Sequence, residues 1–142
     1  GRMTGALRLP PRPHWPGRTP RPDAAPFDAL KARLTDCASL ADFQHSAAFR
    51  AGFACLEQGY FWEAHECWEA VWIRLPPASR ERQLVQALIQ LANARLKAAM
   101  GNPAASTRIL RRARAAWDAA FSGGKARVFG ISESDWADYL AK

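Results

Sequence analysis

The residues able to do chemistry crowd into one short stretch, Tyr60-Phe61-Trp62-Glu63-Ala64-His65-Glu66-Cys67-Trp68-Glu69-Ala70-Val71-Trp72. On a helix at about 100° per residue, Phe61, Ala64, Trp68 and Trp72 share one face. His65 lies on that face, and Glu69 sits one turn later at its edge. Glu66 falls a turn before Glu69, near Trp62 and Ile73, and Glu63 points away. An imidazole and two carboxylates thus stand beside three tryptophans. Groups of this kind must be paired or hydrogen-bonded, because desolvating an isolated charge is very costly.

Two chemistries compete for this trio. His65 and Glu69, at i and i+4, can reach one divalent ion such as zinc from a single helix. Metalloprotease helices use His-Glu-x-x-His, with two imidazoles on zinc and the glutamate as base. Here Glu69 replaces the second imidazole, and His14 and His45 lie in other segments, so no third ligand is evident. Under this reading the protein is a metal-dependent hydrolase, with His65 and Glu69 as ligands and Glu66 as base. The favoured reading needs no cofactor. His65, Glu66 and Glu69 then form a polar network that orients a ligand or fixes helix register. No serine or cysteine is placed as a nucleophile, since Cys67 projects to a different side from His65. An enzyme is therefore the less favoured expectation.

The elements that must position these groups follow from periodicity and punctuation. The helix carrying the trio spans about 60–74 and stops at Pro76-Pro77, where the second proline pushes the first out of helical backbone. Ser79 caps a following helix running to about 100. That helix is apolar almost all round (Leu84, Val85, Leu88, Ile89, Leu91, Leu96, Met100) and belongs in the middle of a bundle. Its one polar stripe is Gln86, Gln90, Asn93 and Lys97. A short loop makes the two helices antiparallel neighbours, so Gln86 and Gln90 are the expected partners of His65, Glu66 and Glu69 in a buried cluster.

Elsewhere the pattern is helical too. Phe27, Leu30 and Leu34 mark a short first helix. Ser39 with Asp42 reads as a capping box opening a second, whose stripe is Phe49, Phe53, Leu56 and Tyr60, and Gly59 is placed to end it. Gly101-Asn102-Pro103 separates the fourth helix from a fifth reaching about 121. Gly123-Gly124 is a loop, only Arg127-Val128-Phe129 reads as extended, and Ser132 with Asp135 caps a last helix bearing Trp136, Tyr139 and Leu140. The fold class is all-α: one compact bundle of five to six helices over 27–142. Residues 1–26 hold seven of the ten prolines and five arginines against one acid. They read as an extended Pro/Arg-rich arm, with no helix or central strand, that either packs on the bundle through Trp15-Pro16-Gly17 or hangs as a loose tail.

The charge and cysteine pattern narrows the partners. A net charge of +7 on 142 residues raises the question of nucleic acid. More than half of that excess lies in the arm, however, and Arg108, Arg111 and Arg112 on one helical face come with no recognised motif, so nucleic acid is disfavoured. Three cysteines without a Cys-x-x-Cys pair argue against a disulfide scaffold and for a reducing, cytoplasmic setting. No apolar run is long enough to span a bilayer, so no membrane is expected. The sequence names no partner; a homo-oligomer is compatible with the aromatic content.

Residues from about 49 to 117 resemble the bacterial and archaeal family called domain of unknown function 309. The resemblance is carried by Gly59 through Glu69 with Trp72, by Gln86-Ala87-Leu88-Ile89-Gln90-Leu91-Ala92, and by Gly101-Asn102-Pro103. The family motif Glu-Ala-His-Glu-x-x-Glu falls on Glu63, Ala64, His65, Glu66 and Glu69. The resemblance implies a small helical bundle and no established reaction. Members often carry a histidine where this chain has Lys97, which removes a second imidazole from any metal proposal.

Overall fold

A computed structural model describes residues 2–4 and 7–141. Among them are five α-helices of nine residues or more: α1 (Ala25–Arg33), α3 (Ala47–Glu57), α4 (Phe61–Trp72), α5 (Arg80–Ala99) and α6 (Pro103–Ala120). Two five-residue helices, α2 (Leu40–Gln44) and α7 (Trp136–Leu140), accompany them. The architecture is all-α. The layers follow chain order: α3 packs on α4, α4 on α5, and α5 on α6.

The caps explain most boundaries. Ser39 and Asp42 do form a capping box, but the helix it opens ends at Gln44. Ser46 then captures the Phe49 N–H at 3.2 Å and starts α3. The single helix expected here is therefore two, because a second side-chain cap interrupts it. Ser79 accepts from the Arg82 N–H and Asn102 from the Ala105 N–H, which sets the starts of α5 and α6. Pro103 occupies the first turn of α6, where its missing N–H costs nothing.

The arm departs from the expectation of continuous extended chain. β1 (Arg2–Thr4) pairs antiparallel with β2 (Leu7–Leu9) in a small hairpin. The prolines begin only at Pro10, so the preceding residues keep the N–H groups a ladder needs. Leu7 and Leu9 are fully buried and join the same apolar core as the helices. The arm is thus part of the fold, and α1 starts at Ala25, ahead of Pro26. A second hairpin, β3 (Arg127–Val128) with β4 (Ile131–Ser132), turns through Phe129 and Gly130, both at positive φ. Such two-residue turns match the twist of paired strands.

Trp68 and Trp117 are the largest fully buried side chains. The Trp68 indole N–H donates to the Phe49 carbonyl of α3 at 3.1 Å, and Trp117 donates to Glu133 at 3.1 Å. Trp68 lies so close to α3 that a Cβ on Gly52 would stand 2.1 Å from its Nε1. Glycine is required there by space, not by φ. No helix among the described residues is long and apolar enough to cross a membrane.

Candidate functional site

The buried side of α4 comprises Glu63, Ala64, Cys67, Trp68, Ala70 and Val71. That arc is centred near Cys67 and Val71, not on the Phe61–Trp72 stripe the aromatic pattern suggested. Phe61 and Trp72 are only half-buried. The consequence is a shift in the environment of the trio. His65, Glu66 and Glu69 fall on the rim of the helix, with side chains 21%, 17% and 50% exposed. The cluster expected to be enclosed between two helices is instead half-open to solvent.

The trio itself is brought together. His65 Nε2 lies 2.7 Å from Glu69 Oε2, one turn along the helix, and His65 Nδ1 lies 3.7 Å from Glu66 Oε2. Nδ1 is buried and has no hydrogen-bond partner among the described residues. One ligand-type atom from each of the three residues falls within 4.8 Å of the others. The arm supplies a third charge: Arg21 Nη2 approaches Glu66 Oε1 at 3.8 Å while its guanidinium lies over Trp62. Arg21 is 77% exposed, so this pair is a weak tether.

The glutamines stand alongside without joining. Arg82 stacks on Trp72 at one end of the α4–α5 seam, and Arg95 lies over Phe61 at the other. This antiparallel register places Gln86 near the level of Glu69 and Gln90 near that of His65. Among the described residues, no hydrogen bond links either glutamine to the trio. The two arginine–aromatic stacks, and not a polar network, mark the seam. Lys97 is exposed, as are Arg108, Arg111 and Arg112 on α6.

Glu63 carries the largest surprise. It points away from the trio, as the helical wheel requires, but inward, and it is 0% exposed. Its Oε2 accepts the backbone N–H of His14 at 2.9 Å, and its Oε1 has no partner among the described residues. Burial pushes its pKa up from 4.5 to about 7, against the lowering effect of the His14 N–H. His14, not Trp15, is the anchor of the arm. It is buried, its Nδ1 lies 2.8 Å from Thr19 Oγ1, and its ring meets Trp62 edge-on at 4.6 Å. The Tyr60 hydroxyl adds a bond to the Pro10 carbonyl at 2.7 Å. Nothing in the sequence signalled this: a glutamate on an inward face becomes legible only once the arm delivers its N–H. Cys55 and Cys67 are buried in the same region as free thiols, and Cys67 does point to a different side from His65.

No curated protein and no solved structure matches the chain. A family model does, from Phe49 in α3 to Ile109 in α6, taking in the whole of α4 with the trio and the whole of α5. Residues 49–109 of the chain match the model of the family described as domain of unknown function, DUF309.

Proposed function

We propose that the protein is a binding module whose ligand-facing group is His65, Glu66 and Glu69, and that a divalent cation is the ligand those donors suit. The observation that carries this reading is the convergence of three ligand-type atoms within 4.8 Å on the rim of a helix. One nitrogen and carboxylate oxygens are the donor types that borderline cations such as zinc accept. His65 Nε2 and Glu69 Oε2 would hold the ion from adjacent turns. Glu66, beside Nδ1, is placed to orient the imidazole, the role a carboxylate commonly has behind a ligating histidine. The half-open rim leaves the remaining positions to water or to a second ligand.

The same geometry speaks against Glu66 as a hydrolytic base. Its carboxylate is turned to His65 Nδ1 and to Arg21, which suits orientation and not activation of a water. The reading is tested by elemental analysis of protein purified without chelator and then exposed to zinc. Retained zinc that disappears in a folded His65→Ala variant supports it. Protein that takes up none overturns it.

A further inference from the structure

Five arginines lie over aromatic rings: Arg18 on Trp15, Arg21 on Trp62, Arg82 on Trp72, Arg95 on Phe61 and Arg114 on Trp136. Four of them also reach an oxygen. Arg18 donates to the Met100 carbonyl, Arg21 faces Glu66, Arg95 donates to the Leu140 carbonyl, and Arg114 pairs with Asp118. Arg82 is the exception. It makes the closest stack of the five, 4.0 Å from Cζ to the ring centroid. Its guanidinium nevertheless has no acceptor among the described residues, and its Nε is buried without a partner. Among the described residues, neither Glu81, its neighbour in sequence, nor Glu69 on α4 forms an ion pair with it.

A guanidinium held over a ring, with no acceptor among the described residues, lacks an oxyanion partner for its outer N–H groups. The surroundings are shaped to receive one. Arg82 lines a cleft of about 240 Å³ together with Trp72, Pro77, Gln83 and Gln86. This lining contains one cation, two carboxamides able to donate, two flat apolar walls and no carboxylate. We propose that this cleft is a binding site for a small carboxylate with a flat apolar body. The carboxylate meets the fork of Arg82, the carboxamides of Gln83 and Gln86 complete its donors, and the body lies against Trp72 and Pro77. A planar carboxylate matches the guanidinium fork in two parallel bonds. The site is separate from the cation-binding trio and stands whether or not that trio binds an ion.

The test is a titration followed by NMR of the Arg82 Nε–H and Trp72 Nε1–H signals, with benzoate as the probe in buffer freed of divalent cations. A saturable shift of both signals is expected with benzoate and none with benzyl alcohol, its uncharged counterpart. Arg82→Lys keeps the charge and loses the fork, and should weaken binding about tenfold. The His65→Ala variant should bind benzoate as the parent does. Absence of a saturable shift, an equal response to benzyl alcohol, or inorganic phosphate binding as tightly as benzoate would each overturn the proposal. Loss of benzoate binding in His65→Ala would overturn the cleft as a site in its own right.

Discussion

The backbone N–H of His14 donates to Glu63 Oε2 at 2.9 Å, tying the proline-rich arm to a carboxylate 49 positions away in the core. This bond ties the arm into the fold and partly offsets the effect of burial, which raises the pKa of Glu63. The rim of the same helix, with His65, Glu66 and Glu69, is left partly open to solvent.

Glu63 should impose a pH dependence on stability. Its folded pKa of about 7 lies above the ordinary 4.5, so the folded state holds the proton more tightly than the unfolded chain. Stability therefore falls as pH rises from about 4.5 to about 7 and is level above that. The span is about 3 kcal/mol at 1.36 kcal/mol per unit. Urea unfolding in cation-free buffer from pH 5 to 8 should show this slope, and Glu63→Gln should flatten it. An equal slope in the variant would place its origin elsewhere.

The arm should contribute to the core in proportion to what it buries. Leu9 is 1% exposed in the shared apolar cluster. Leu9→Ala should cost about 3 kcal/mol, the scale for a truncated core leucine. A loss within error of zero, measured by chemical denaturation, would mean that the hairpin lies loosely on the bundle.

Gly52 should tolerate no Cβ. In an exposed helix, glycine to alanine gains about 1 kcal/mol. Here the new methyl would stand 2.1 Å from Trp68 Nε1, and the sign reverses. Gly52→Ala should lose about 3 kcal/mol and displace the indole from the Phe49 carbonyl. Blue-shifted or unaltered tryptophan emission at unchanged stability would show that α3 moves aside freely.

Much of this was legible in the sequence wherever the determinant is local. Ser39, Ser79 and Asn102 cap helices where a side chain meets an amide three residues on, and at Ser132 the Asp135 carboxylate accepts the Ser132 N–H. The i and i+4 spacing of His65 and Glu69 brought them together for the same reason. The failures share one cause, dependence on distant chain. Three-residue strands are too short for a period-two pattern, so the first hairpin went unread. The bulk of Phe61 and Trp72 drew the buried arc of α4 toward them, whereas these rings are half-covered by Arg95 and Arg82. That rotation moved the trio to the rim and left Gln86 and Gln90 alongside it without hydrogen bonds to it. Glu63 looked outward-facing until His14 supplied its donor.

His65 should matter little to folding. Its pair with Glu69 involves a carboxylate that is 50% exposed, and such rim pairs contribute at most about 1 kcal/mol. His65→Ala should unfold within that margin of the parent. A loss of several times as much would favour a structural role for the imidazole over a ligand-binding one.

Calorimetric titration of the metal-free protein with zinc tests the account most directly. The parent should take up zinc near equimolarly, Glu69→Gln should bind more weakly, and a folded His65→Ala should bind none. A parent that gives no binding heat at any pH where it is folded, or a His65→Ala variant that binds as the parent does, would contradict it.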